Sequence, residues 1–275
     1  MPDVEASRPT AATAQELADA VREAGDIALR TFRQPVRQWS KAGSSPVSEA
    51  DIAVDEFLRR RLGALAPDAG WLSEETEDDA ARLDAAIVWI VDPIDGTRAY
   101  LAGQDDWTIS VALVGDSRPV LATVFAPTTE ELFMAEAGSG AFLNGEPILA
   151  SPGEGLAGAS AMAPKRFLQR LAELDSQVVA LPRIGSLALR LARVAQGRLD
   201  LCITGANSHD WDLAAADLLV HEAGGALTTL AGDPLVYNRS HPVHDVLIAA
   251  GRARHAALIG LMRDGQMRDG QMDRS

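Results

Sequence analysis

The stretch Ile87-Val88-Trp89-Ile90-Val91-Asp92-Pro93-Ile94-Asp95-Gly96-Thr97 decides the reading of this chain. Its first half is an unbroken apolar run and reads as a buried strand. Pro93 has no N–H to give to a ladder and forbids the strand from simply continuing. Two carboxylates three residues apart at such a strand end suit a hard cation better than an apolar core. Gly96 lets the backbone turn sharply, and Thr97 adds a hydroxyl at the same spot. Asp, Pro and Gly are also ordinary turn residues, so taken alone the segment is a solvated turn.

It does not stand alone. Upstream, Trp71-Leu72-Ser73-Glu74-Glu75 is a short apolar stretch ending in paired acids. Downstream, His209-Asp210-Trp211-Asp212 opens an apolar, helix-like run that reaches Val220. A further acid, Asp51, follows Ser48-Glu49-Ala50. Each has a plain structural role open to it. Glu74 and Glu75 suit a wet loop, Asp51 suits a capping box with Ser48, and Asp212 suits a helix N-terminus. Together they read as a metal site, because Mg²⁺ takes oxygen ligands from a few carboxylates, waters and substrate phosphates. Like charges ~4 Å apart repel by ~4 kcal/mol at an effective dielectric of ~20, so four or five clustered acids need cations to persist.

These residues carry a resemblance. Asp92-Pro93-Ile94-Asp95-Gly96-Thr97, and Trp211-Asp212-Leu213-Ala214-Ala215 through Glu222-Ala223-Gly224-Gly225, resemble the two signatures of the inositol monophosphatase family. Its members are Mg²⁺-dependent, lithium-sensitive phosphomonoesterases. Glu74-Glu75 and Ser45-Pro46-Val47-Ser48-Glu49-Ala50-Asp51 match two further landmarks, in the family's order and roughly its spacing, over about residues 12–260. The segment Ala206-Asn207-Ser208-His209-Asp210-Trp211-Asp212 more narrowly resembles bacterial 3'(2'),5'-bisphosphate nucleotidases.

The resemblance implies an α/β fold, a layered α+β sandwich of alternating helix and sheet layers of the inositol monophosphatase and fructose-1,6-bisphosphatase type. It also implies two or three Mg²⁺ ions. One is held by Glu74, Asp92 and the carbonyl of Ile94, and a second by Asp92, Asp95 and Asp212. A third leans on Glu74 and waters. Thr97 and Asp51 activate the attacking water, with Glu74 counted among the catalytic residues. The substrate phosphate rests on the amides of Gly96 and Thr97, with Asp95, His209 and Asp212 as further substrate contacts. Inositol-specific members often carry a Glu seven residues before Asp212, and here that position is Gly205, which leaves the substrate open. Phosphatases with an Asp nucleophile use Asp-x-Asp-Gly-Thr; the two residues between Asp92 and Asp95 put this chain out of that register.

The chain has 275 residues, 47% of them hydrophobic, enough for one large domain or two intimate subdomains. Its net charge of −14 argues against non-specific nucleic-acid or anionic-membrane binding. The same charge repels phosphorylated substrates, so metals or a local basic patch, with Lys41, Lys165, Arg166 and Arg183 as candidates, must overcome it. Cys202 is the only cysteine, in the apolar run Leu199 to Ile203, and reads as a small core residue in a reducing compartment. With no signal peptide and no apolar span of ~20 residues in view, the expected location is cytoplasmic.

Along the chain, residues 1–12 read as a leader, 13–150 as an N-terminal α+β subdomain, 151–262 as a C-terminal α/β subdomain and 263–275 as a tail. Thr13-Ala14-Gln15-Glu16 reads as a capping box opening a helix to about 34, with Leu17, Val21, Ala24, Ala28 and Thr31 on one face. A second helix over 50–65 puts Asp51 in its first turn. Strands are expected at 86–91, 107–114, 119–126 and 131–136, antiparallel because little helix separates them, with Asn144-Gly145 as a hairpin turn. Later strands near 159–163, 177–181, 199–203, 225–230 and 245–250 alternate with helices near 165–174, 185–196, 211–223 and 252–262. Ser151 to Gly158 is the best boundary between halves, and Met262-Arg263-Asp264-Gly265-Gln266 recurs at Met267 as a tail repeat. His221 and Trp211 read as structural. The functional expectation is a Mg²⁺-dependent phosphomonoesterase acting on a small phosphorylated metabolite. Adenosine 3',5'-bisphosphate is favoured over inositol 1-phosphate, fructose 1,6-bisphosphate and histidinol phosphate. Homodimerisation follows from the resemblance alone. The alternative of another class is a regulatory binding protein on a phosphatase scaffold.

Overall fold

The computed structural model describes residues 11–40 and 46–263. Most of the leader, Lys41 to Ser45 and most of the tail repeat lie outside these residues. The first half runs α1 (Ala11–Thr31), β1 (Gln38–Ser40), β2 (Pro46–Ser48), α2 (Glu49–Leu65) and β3 (Gly70–Ser73). After a 3-10 turn at Ala80–Asp84 come β4 (Ile87–Asp95), α3 (Thr97–Leu101), β5 (Thr108–Gly115), β6 (Arg118–Ala126), β7 (Glu131–Glu136), β8 (Gly140–Leu143) and β9 (Glu146–Pro147). The second half begins with β10 (Ser160–Met162), α4 (Lys165–Leu174), β11 (Val179–Ala180), α5 (Leu187–Ala195) and β12 (Leu201–Ile203). It ends with β13 (Ser208–His209), α6 (Asp210–Glu222), β14 (Gly225–Thr229), β15 (Val243–His244), β16 (Leu247–Gly251) and α7 (Arg252–Arg263).

Strands β3 to β9 form a seven-stranded sheet in chain order, antiparallel except for the parallel β3–β4 pair. β4 explains its own sequence. Val88 and Ile90 point into a cluster shared with α5 and α6, while Trp89 and Val91 point into a cluster shared with α1 and α2. A strand covered on both faces has no reason to alternate with polar residues. The second sheet has the order β11-β10-β12-β16-β14. β10 runs parallel to both its neighbours and β16 antiparallel to both of its own, so this half is mixed rather than parallel. Its outer face packs Phe167 and Leu171 of α4 and Leu258 of α7. The result is five layers: α1 and α2, sheet, α5 and α6, sheet, α4 and α7. Residues from both sides of the Ser151–Gly158 stretch share the central core.

α6 lies between the two sheets, and Leu213 to Val220 are all buried, so it shows no polar stripe. Cys202 is buried in the same core, where burial pushes its thiol pKa up to about 11, as a structural residue requires. The hairpin turn has Asn144 at φ 50° and Gly145 at φ 86°, both in the left-handed region that Asn-Gly tolerates. One expectation is corrected. α1 begins at Ala11, so Thr13 lies inside the helix rather than at its cap. Ala11 and Ala12 are strong helix formers and carry the helix past the polar pair. It stops at Thr31 rather than 34, because Arg33 takes φ 60°.

Candidate active site

The two acids of the signature stretch need a device to act together. In a regular strand, residues three apart point to opposite faces. Between Asp92 and Asp95 the register against β5 shifts: Asp92 pairs with Ser110 and Asp95 with Thr108. The β4 segment thus carries one more residue than its partner, a bulge that resets the alternation. Both carboxylates then reach the same spot. Gly96 ends the strand at φ 95° and ψ 35°. A Cβ there would sit 3.1 Å from Ser186 N and 3.2 Å from the Asp106 carbonyl, so conformation and space both call for glycine.

The third acid arrives on α6. Asp212 stands in its first turn, where the backbone N–H of His209 donates to Asp212 Oδ2 at 2.6 Å. Asp92, Asp95 and Asp212 each offer an oxygen, and these three oxygens lie within 4.8 Å of one another. Burial, followed by the charges of Glu74, Asp95 and Asp212, raises the Asp92 pKa well above the carboxylate range. Burial and Asp95 do the same to Asp212, and burial raises Asp95. Asp92 Oδ1 is buried with no hydrogen-bond partner among the described residues. Three convergent carboxylates and one orphaned oxygen are the donor set a hard divalent cation takes.

Around this centre lies a cavity of about 410 Å³ lined by Glu74, Asp92, Asp95, Gly96, Thr97, Arg98, Asp106, Arg183 and Asp212, among others. Glu74 sits just past β3, and its N–H bonds the Val91 carbonyl at 3.3 Å. Asp55 of α2 braces the ends of this segment, accepting from the hydroxyls of Ser73 and Thr76. The Thr97 hydroxyl lies 3.1 Å from the Ile94 carbonyl and 3.2 Å from Asp51 Oδ1. Its one proton can serve only one of these at a time. Asp51 does hold the capping box: its Oδ2 accepts from Ser48 N at 2.8 Å and Ser48 Oγ at 2.6 Å. The capping role and the Thr97 contact use different oxygens of one carboxylate. Burial raises the Asp51 pKa against these hydrogen bonds.

The structure therefore brings Glu74, Asp92, Asp95, Gly96, Thr97 and Asp212 to one cavity, with Asp51 and the Ile94 carbonyl reached through Thr97. His209 is not among the lining residues. Its ring stacks on Trp211 at 4.5 Å and 4°, and burial lowers its pKa. Gly205 is exposed and faces open space. Of the candidate basic patch, Arg183 lines the cavity, whereas Lys165 and Arg166 lie on α4 away from it. His221 bonds Asp217 on its own helix.

Sequence reading missed Arg98, Asp106, Ser186 and Arg190. Arg98 directly follows Thr97, a signal that was there to use. Ser186 and Arg190 lie about 90 residues further on, and only the fold brings α5 here. Arg190 is half-buried and folds back to donate to the carbonyls of Ser186 at 3.3 Å and Gly185 at 3.2 Å. Burial lowers its pKa, while Cys202, Asp95 and Asp212 oppose that.

The chain is also similar to known proteins. A sequence model described as the inositol monophosphatase family matches residues 9–267. The chain is 36% identical over 230 residues to an inositol-1-monophosphatase of Rhizobium meliloti, covering 78% of this chain and 85% of the relative. It is 31% identical over 267 residues to a histidinol-phosphatase of Chlorobaculum parvum, covering 94% and 98%. Among solved structures, the extragenic suppressor protein suhB of Bartonella henselae superposes with a TM-score of 0.82 at 29% identity, covering 93% of this chain and all of that one.

Proposed function

The chain belongs to the inositol monophosphatase family of phosphoric monoester hydrolases, and on that premise we propose that it hydrolyses a small phosphomonoester with two or three Mg²⁺ ions. The observation that carries the reading is the convergence of Asp92, Asp95 and Asp212 in a cavity that also holds Glu74 and Thr97. Glu74, Asp92 and the Ile94 carbonyl would hold one ion; Asp92, Asp95 and Asp212 would hold another. When bound, Mg²⁺ supplies Lewis acidity that acidifies a water and neutralises charge on the phosphoryl oxygens. Thr97 Oγ1 would take a proton from the attacking water as it gives its own to Asp51 Oδ1, whose burial-raised pKa makes it a better acceptor. The amides of Gly96 and Thr97 face the phosphate.

The favoured substrate is adenosine 3',5'-bisphosphate, losing its 3'-phosphate. Three features support this: the Asn207-to-Asp210 segment, the absence of a side chain at Gly205, and Arg98 and Arg183 in the same cavity as the acids. Guanidinium groups bind phosphate oxygens in pairs and suit a substrate with a second phosphate. Inositol 1-phosphate is the second reading, favoured by the name of the Rhizobium meliloti relative. Purified protein with Mg²⁺ is to be assayed on both, together with fructose 1,6-bisphosphate and histidinol phosphate. The bisphosphate nucleotide should show the highest kcat/KM, and a better competitor refutes the ordering. Phosphate release that persists in excess EDTA refutes the metal reading. Homodimerisation and a cytoplasmic location belong to the same proposal. No described helix is long and apolar enough to cross a membrane. If the Asp95→Asn protein folds and loses turnover yet keeps its role in cells, a regulatory function on this scaffold takes precedence.

A further inference from the structure

We propose that Ser186, at the N-terminus of α5, is a positioning residue that fixes the Asp95 carboxylate for divalent cation binding. This rests on the reading of Asp95 as a ligand. Ser186 Oγ donates to Asp95 Oδ2 at 2.6 Å, and the Ala188 N–H donates to the same oxygen at 2.6 Å. Asp95 is thereby tied to the first turn of a nine-residue helix from the other half of the chain. Two donors on Oδ2 restrict the carboxylate's rotation, while an oxygen of Asp95 lies within 4.8 Å of oxygens of Asp92 and Asp212.

The proton count assigns every partner. Ser186 is fully buried, and its hydroxyl has one proton, committed to the carboxylate. The Thr108 hydroxyl, 2.8 Å from Ser186 Oγ, must then be the donor of that pair. The Leu189 N–H, at 2.9 Å, is the second group donating to Ser186 Oγ. Thr108, Ser186 and Asp95 form a one-way chain ending on the carboxylate. The seat of this chain is held by backbone packing: Ser186 N donates to the Asp106 carbonyl at 2.9 Å, and Gly185 N to the Asp106 carboxylate. A Cβ on Gly185 would lie 2.7 Å from that of Ala99, so α5 approaches the signature turn as closely as its backbone allows.

The test is Mn²⁺ binding to the purified full chain by isothermal titration calorimetry, for wild type, Ser186→Ala and Ser186→Thr. Hydrogen-bond partners of metal ligands typically contribute ~10–100-fold to metal affinity. S186A should bind Mn²⁺ at least ~10-fold more weakly at the Asp95 site, and S186T, which keeps the hydroxyl, should restore it to within ~3-fold. Because Ser186 also caps α5, thermal unfolding in EDTA is recorded in parallel. S186A should unfold as one cooperative transition a few degrees below wild type, and the rise in Tm on adding Mn²⁺ should shrink. Mn²⁺ affinity of S186A equal to wild type within twofold overturns the proposal, as does an S186T that folds but binds as weakly as S186A. A wild-type chain that takes up no Mn²⁺ overturns the ligand reading itself, and this proposal with it.

Discussion

Replacing Asp92 with Asn should abolish catalysis and, at the same time, stabilise the metal-free protein. Asp92 is 1% exposed, its Oδ1 has no partner among the described residues, and after burial the carboxylates of Glu74, Asp95, Asp212 and Asp51 raise its pKa. Two of these, Asp95 and Asp212, place an oxygen within 4.8 Å of one of its own. At an effective dielectric of ~20 each such pair costs about 3.5 kcal/mol when both members are ionised. Proton uptake by one carboxyl caps that cost, which leaves ~2–4 kcal/mol as the gain expected from removing the charge. The sign with pH follows. A carboxyl whose folded pKa is raised holds more protons in the native state than in the unfolded chain. Its stability contribution is therefore intact below the ordinary carboxylate pKa and is lost as pH rises toward the raised value. The difference between D92N and wild type should thus be near zero at about pH 4 and grow above it. For a chain of this size a gain of 1 kcal/mol lifts Tm by ~2–4 °C. Differential scanning fluorimetry in EDTA at pH 8 should place D92N above wild type by at least ~4 °C. Added Mg²⁺ should raise the Tm of wild type but not of D92N. A D92N protein that melts at or below wild type in EDTA, or that still gains Tm from Mg²⁺, refutes the electrostatic reasoning.

Other consequences are checked more simply. Thr97→Val removes the hydroxyl between Ile94 and Asp51 and should lower kcat by ~10²–10⁴ with little change in KM, read from steady-state phosphate release. Arg183→Ala should raise KM for adenosine 3',5'-bisphosphate by ~10–100-fold while leaving KM for inositol 1-phosphate nearly unchanged, since one charge-assisted phosphate contact contributes ~1.5–3 kcal/mol. The pKa of His221 is raised, chiefly by its hydrogen bond to Asp217. Its stabilisation is present below the ordinary histidine pKa and lost as pH rises through the raised one, so His221→Gln should cost more stability at pH 6 than at pH 9 in urea unfolding. Millimolar lithium should inhibit at saturating Mg²⁺, and a flat titration speaks against the family mechanism in this chain.

The parts of the molecule legible in the sequence were those set by local pattern. β4 announced itself through an unbroken apolar run, because both of its faces are covered. The hairpin announced itself through Asn144-Gly145, because few other residues accept the left-handed region. Asp51 could be read in two ways; its capping box is formed through one oxygen, and the other oxygen is left beside the Thr97 hydroxyl. Nothing local revealed the bulge between Asp92 and Asp95, which is a property of pairing with β5 rather than of β4 alone. Nor could Ser186 be assigned: Ser-Leu-Ala-Leu is an ordinary helix start until the five-layer packing brings it against Asp95. The mixed direction of the second sheet was equally hidden, because β14 and β16 reach their neighbours by connections that periodicity does not encode.

The most direct test of the central claim is a crystal structure grown with Mn²⁺, with anomalous scattering measured at the manganese edge. The account predicts a strong peak bonded to oxygens of Asp92, Asp95 and Asp212, and a second shared by Asp92 and Glu74. Anomalous density elsewhere, with these four carboxylates turned away from one another, contradicts it.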